Sequence, residues 1–561
     1  MFSSATRVAR LISMLIVLAI GACGGGSSNS PSPSPPPTTT PPPPPPPPAP
    51  TLDPQYRASG DTPFAPGCDG MAPSGTSYAN AEVEPHFAVD PGMPQRVYGA
   101  WQQDRWSTGG AHGLLVGVSS DGGQSWSRSA PTFSRCAGGT AGNGGDFERS
   151  SDPWLSVSPD GTAYAIAIAF NGASLMPGSE SAVLVSRSTD GGASWGPPTT
   201  LIREGSTAFH DKESITADPI DSHFVYAVWD RISVDNFGPT WFARSTDGGA
   251  TWEAARSIFD PGVNSQTIGN IIVVLPNGTL VDAFTRIDAA ANGSTSAYFD
   301  VIRSTDNGLT WSAPIRISSE LSVGTVDPET GMRVRDATIT PSIAVGPGGS
   351  LFAAWQDSRF SGGVRDGIAM SRSDDGGLTW STPARVNAST AVAAFVPAVH
   401  VRSDGMIGVT YYDFRGNTSD RNTLFTSLWL ARSTDAVNWQ ESQVAGPFDL
   451  ATAPLSGAGN TNGYFLGDYM GLASIGNVFV PFYARTTGAN GNRTDIFAAP
   501  AVSVTTSAAA MASELRAQNA PKSAEPVVVR MTPEYRLRIA RNIEANMKIH
   551  VPGEPIRAGE D

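Results

Sequence analysis

The sequence predicts an all-β fold made of repeated units, and three observations carry that expectation. A short segment recurs six times, as Ser119–Trp126 (S-S-D-G-G-Q-S-W), Ser188–Trp195, Ser245–Trp252, Ser304–Trp311, Ser373–Trp380 and a shortened Ser433–Trp439. Recurrence at near-constant spacing is the mark of a repeat architecture. Each copy follows two short apolar or alternating runs joined by a turn, the pattern of a strand pair. The composition, 60 Gly, 46 Pro and 13 Trp in 561 residues with only 16% charged, suits many short strands and tight turns better than helices.

In each copy the Asp and Gly build a tight turn that tolerates positive φ, and the Trp can fold back over it as an apolar plug. These segments read as Asp boxes, and over residues 80–500 the chain resembles the sialidase-like β-propellers. The resemblance implies four-stranded antiparallel blades around an axis. Strand-pair units begin at Phe87, Leu155, Ile215, Ile271, Ser342, Ala398 and Tyr469. Seven units against six boxes predict a seven-bladed propeller, with six blades as the alternative. The last unit has no box, so its outer strand is expected from the stretch between Thr51 and Glu82, because closure by the opposite terminus removes exposed strand edges.

The flanks read differently. Residues 1–23 have Arg7 and Arg10 before the apolar run Leu11–Ile20 and then small residues, an export signal too short to span a membrane comfortably. Ile20-Gly21-Ala22-Cys23 resembles the bacterial lipobox, which implies lipidation of Cys23 and, with Gly24 following, the outer membrane or cell surface. Residues 24–50 are rich in Pro, Ser and Thr, with an unbroken proline run from Pro41 to Pro48, and form a stalk extending about 3.1 Å per residue. The propeller occupies 51–504 and a polar linker 505–531. A helix is expected over 532–549, capped by Thr532 with Pro533 and Glu534 in its first turn, and 550–561 is a tail. Cys68 and Cys136 remain to pair as a disulfide in an oxidising compartment.

The net charge of −14 supplies no basic stripe and argues against nucleic acid as a partner. No metal-ligand spacing is present, so neither a metal nor another cofactor is expected. The expected partners are a glycan or glycoconjugate, and the membrane through the lipid anchor alone; the chain is expected to be a monomer.

Strand parity puts the boxes on one face and the residues before strand 1 and after strand 2 on the other. That second set is rich in charge, with Arg231, Arg359 and Arg415 each beside an Asp, and with Asp152, the run His210-Asp211-Lys212-Glu213, and Asp468-Tyr469. The resemblance implies a substrate-binding set of Arg231, Arg359, Arg415 and Asp468. It also implies Glu213 as the base for a nucleophilic Tyr412 or Tyr469, and Asp152 as acid. A Tyr nucleophile sets sialidases apart from two-carboxylate glycosidases. The Phe-Arg-Ile-Pro-type motif of sialidases is missing, the corresponding stretch being R-V-Y-G-A-W-Q-Q-D-R. The repeated Asp-Arg pairs also fit ion pairs between repeats. Two functions therefore stand together: a surface-tethered exo-α-sialidase-type hydrolase, and a non-catalytic propeller that binds glycans or proteins.

Overall fold

Each recurring segment folds into a turn of the same design. In the first, Ser119 Oγ donates to Asp121 Oδ1 (2.7 Å) and accepts from Gly123 N (2.8 Å). Ser125 donates to the same carboxylate through its N (2.9 Å) and its Oγ (2.6 Å). Equivalent bonds surround Asp247, Asp306 and Asp375. Gly122 and Gly123 have φ of 76° and 94°, a region that side chains disfavour. In the shortened copy Ala436 takes a positive φ of 61°, and Asn438 replaces the hydroxyl residue on Asp435.

The computed structural model describes residues 52–70, 75–233, 238–290, 295–457, 463–489 and 491–501, all within one unit of the chain. The expected export signal with Cys23, the stalk, the linker and the C-terminal helix lie outside the described residues.

The described chain is all-β. Its antiparallel four-stranded sets follow one another along the sequence. The first contains Glu82–Val89, Val97–Arg105, Ala111–Ser119 and Ser127–Ser129; the second contains Arg149–Val157, Ala163–Asn171, Glu180–Ser188 and Thr199–Gly205. Sets three to six begin at Ala208–Ala217, Ser265–Val274, Ser342–Val345 and Ala394–Val401. The last begins at Gly471–Ile475, continues through Val478–Ala489 and Asn492–Ala498, and is completed by Tyr56–Arg57 from the other end of the chain. Tyr56 pairs with Ala498 and Arg57 with Phe497, so the outer strand comes from the expected stretch.

Each first strand packs on the first strand of the next set, and Gly471–Ile475 packs in turn on Glu82–Val89. The apolar core lies between neighbouring sets. Leu114 and Val116 meet Leu155 and Ala165, and Tyr226 and Phe242 meet Ile272 and Leu280. Cys68 and Cys136 form a disulfide with Cα atoms 4.9 Å apart, tying the segment before the first set to the loop after it. His112 lies beside the two sulfurs, the one grouping of metal-ligating type among the described residues, and both sulfurs are committed to each other.

One further sheet lies outside the repeat. Thr325–Val326, Arg333–Arg335, Gly463–Phe465 and Leu455–Ser456 join the segments that precede the fifth and the last sets, with Arg333–Arg335 parallel to Gly463–Phe465.

Candidate functional site

The first strands of five sets, all but those beginning at Ser342–Val345 and Gly471–Ile475, share a defect. Their ladders skip at Val83/His86, Ser151/Trp154, Asp211/Ser214, Ile268/Ile271 and Phe395/Ala398. Inside the skips, Glu84, Asp152, Lys212, Gly269 and Val396 have φ of 53°, 55°, 50°, 72° and 52°. Such bulges break the in-out alternation of a strand and re-aim a side chain. A non-glycine residue in this region costs on the order of 1–3 kcal/mol and persists only where its surroundings hold it. Here the re-aimed side chains of Glu84, Asp152 and Lys212 meet.

Lys212 Nζ lies 2.6 Å from Asp152 Oδ2, 2.7 Å from Asp468 Oδ2 and 3.5 Å from Glu84 Oε1. Arg335 takes both oxygens of Asp468, with Nε to Oδ1 at 2.8 Å, and its Nη1 donates to Ser456 Oγ at 3.1 Å. Arg105 Nη1 donates to Gln102 Oε1 (2.5 Å) and its Nη2 to Ser456 Oγ (3.2 Å), while Gln102 donates to Glu84. The guanidiniums of Arg105 and Arg335 both lie 4.7 Å from the centre of the Phe465 ring. Phe465 and Ser456 belong to the additional sheet, which therefore covers this cluster, and all its charged groups are buried.

Burial shapes the charges. It pushes the Glu84 carboxyl up to about 8 and that of Asp211 to about 7, and it raises Glu213 well above the carboxylate range. Burial also works against the Lys212 ammonium, but Asp152, Asp468 and Glu84 outweigh it and hold the ammonium charged. The cluster thus keeps three cations against a mixture of ionised and neutral carboxyls, which limits the desolvation cost of so many buried groups.

Of the residues expected at the site, Asp152 and Asp468 share Lys212. Glu213 and Tyr469 line a cavity of about 50 Å³ beside them, with Trp154, Asn270 and Thr340. That volume takes a water or two, well below the several hundred Å³ of ordinary ligand pockets. Glu213 Oε1 accepts from Ile168 N at 2.6 Å, and its Oε2 has no hydrogen-bond partner among the described residues. Tyr469 donates to the Pro153 carbonyl at 3.0 Å and packs edge-on against Trp154, 5.3 Å between ring centres.

The remaining expectations are corrected. Arg231 pairs through Nε and Nη2 with Glu204 of the preceding set, at 2.6 and 2.7 Å. Arg359 closes on Asp357 at 2.8 and 2.7 Å. Arg415 bonds Asp413 (2.6 Å) and Glu441 (2.9 Å) and stacks 3.6 Å from the Trp429 ring centre. Each is taken up by a carboxylate of its own or the preceding set, so these three do not form a clamp. Tyr412 is fully buried and donates to the Ala484 carbonyl at 2.7 Å, which removes it as a partner for Glu213. The cations that do reach the centre are Lys212, Arg105 and Arg335. Glu84 lies outside the expected set, and its sequence signal is the pattern that Glu84-Pro85-His86 shares with Asp152-Pro153-Trp154, which aligns the two bulges.

No family model and no curated protein matches the chain. Among solved structures it is similar to a protein of unknown function from Dyadobacter fermentans, with 14% identity over 75% of this chain and 95% of that one and a TM-score of 0.40. It is also similar to the α-L-arabinofuranosidase of Fusarium graminearum (12% identity, 59% and 88% covered, TM-score 0.41). A third similar structure is the Hadza microbial sialidase Hz136 (15%, 73% and 74%, 0.39).

Proposed function

We propose that this chain is a non-catalytic, glycan-binding β-propeller of seven blades, held at the bacterial outer membrane or cell surface by a lipid on Cys23. One observation carries the non-catalytic part: the groups that a sugar-cleaving site needs open are closed on the protein itself. Arg231 and Arg359 are each bidentate to a carboxylate, and Arg415 is held between two. The hydroxyls of Tyr412 and Tyr469 donate to backbone carbonyls. A nucleophile, base and carboxylate clamp must instead meet one sugar ring. The order of packing among first strands supports the blade count, and the lipobox followed by the proline-rich stalk supports the tether.

The test is a glycan array probed with the full chain, alongside fluorogenic sialoside and arabinofuranoside assays. Binding without turnover is the expected result; absence of binding to every glycan overturns the reading.

A second reading, an exo-α-sialidase-type hydrolase, is favoured by the gathering of Tyr469, Asp152, Glu213, Asp468 and Arg335 around the centre of the molecule. It requires sialoside turnover that is lost in both Glu213→Gln and Tyr469→Phe.

A further inference from the structure

A surface groove of about 380 Å³ lies between the turns of the second and third sets, around Asp190 and Gly249. We propose that it binds a neutral pyranose oligosaccharide through Trp195 and Trp252. The proposal rests on the glycan-binding reading and gives it a location, on the turn-bearing face rather than at the charged centre. The volume falls within the range of ligand sites, several times that of the cavity lined by Glu213 and Tyr469.

The two tryptophans differ from those of the other full copies. Trp126, Trp311 and Trp380 donate their indole N–H to the carbonyl of Gly123, Gly308 and Gly377 in their own turns, at 2.9, 3.2 and 3.2 Å. Trp195 donates across to Ser129 Oγ at 3.0 Å, and the Trp252 N–H has no hydrogen-bond partner among the described residues. Trp126 and Trp311 are packed against Phe482 and Phe242, at 5.4 and 5.7 Å between centres. After Trp195 comes Gly196, where the other full copies have Ser127, Glu253, Ser312 and Ser381, so no side chain fills the groove at that point.

This combination suits a sugar. A pyranose presents a face of C–H groups that packs on an aromatic ring, and a rim of hydroxyls that needs both donors and acceptors. Asp190 supplies an acceptor, its carboxyl held down to about 2 by bonds from Ser194 and Ser188. The exposed Arg187 guanidinium supplies donors beside it, with Nη1 on the Gly248 carbonyl at 3.2 Å. The ionised Asp190 and the net charge of −14 disfavour acidic glycans, which selects a neutral ligand.

The test uses Gly196→Gln. A Cβ at this position meets only the Arg187 carbonyl oxygen at 3.5 Å, an ordinary contact, so the side chain fills the groove without disturbing the fold. The full chain is titrated with cellopentaose, xylopentaose and maltopentaose, followed by tryptophan emission and calorimetry. The expected result is binding of at least one pentaose that weakens at least tenfold in Gly196→Gln and in Trp195→Ala, with the melting temperature of Gly196→Gln unchanged. Equal affinity in Gly196→Gln overturns the groove while leaving glycan binding in place. A chain that binds none of the three pentaoses also overturns it, and the glycan array then decides the broader reading separately.

Discussion

Lys212 and Asp468 meet at 2.7 Å, joining a bulge in the third set to the segment that leads into the last. Both are buried, and Asp152 completes the pair from the second set. Three distant parts of the chain are thus held by one ammonium, and the first prediction follows from removing it.

Lys212→Met leaves Asp152 and Asp468 buried with one cation fewer. Breaking a buried pair from one side costs about 3–5 kcal/mol, most of it from the charge left behind. Equilibrium denaturation should show a loss of that size, and Lys212→Arg should not restore it, because a planar guanidinium does not replace a compact ammonium between three carboxyls. A loss below about 1 kcal/mol would contradict the pinning role.

The pH dependence has a definite sign between pH 6.5 and 8. Burial raises Glu84 and Glu320 to about 8 and Asp211 and Asp366 to about 7. A carboxyl whose folded pKa is raised favours the fold while protonated, and that contribution is lost as pH rises towards the folded pKa. Stability should therefore fall from pH 6.5 to 8. Below 6.5 the buried imidazoles of His86 and His400, lowered to about 3 and 4, act in the opposite sense. Glu320→Gln, which keeps the acceptor for Thr285 Oγ1, should flatten the decline in a series of thermal melts. An unchanged slope would reject Glu320 as a contributor.

The disulfide should be a global stabiliser. Replacing Cys68 and Cys136 with Ser together should cost roughly 2–5 kcal/mol. The same fall should appear on adding reductant to the native chain, and reductant should then have no effect on the double variant.

Deleting residues 52–59 removes Tyr56–Arg57 from the last set and exposes Asn492–Ala498 as an edge. It also removes the bonds that Arg57 (2.5 Å) and Ser59 (2.8 Å) make to Asp495. Open edges invite pairing with other chains. Light scattering should show concentration-dependent association in the deleted form, and a deletion that stays monomeric at the original melting temperature would count against closure by this strand.

The parts of this architecture that were legible in the sequence are those written locally. The turns around Asp121 and its counterparts follow from a run of eight residues, and the strand pairs follow from apolar runs between them. The pairing of arginines with nearby Asp, as in Arg359 with Asp357, was visible as one of two readings. Positive φ at Glu84, Asp152 and Lys212 was hidden, because nothing in these side chains favours it; the packing around them imposes it. The additional sheet was equally hidden, since Arg333–Arg335 and Gly463–Phe465 are three residues each and find one another only once the rest has folded. The centre of the molecule depends on both, which is why its cations were misassigned.

Closure by Tyr56–Arg57 also sets an order of events during synthesis. Arg57 leaves the ribosome 438 residues before its partner Asp495, a delay of roughly 20 to 90 s at common elongation rates. Throughout that time Asn492–Ala498, the strand that Tyr56–Arg57 pairs with, has not been made. The last set is therefore complete only after Ala498 has been made, and a chain that stops before Asn492 leaves Tyr56–Arg57 without its partner strand.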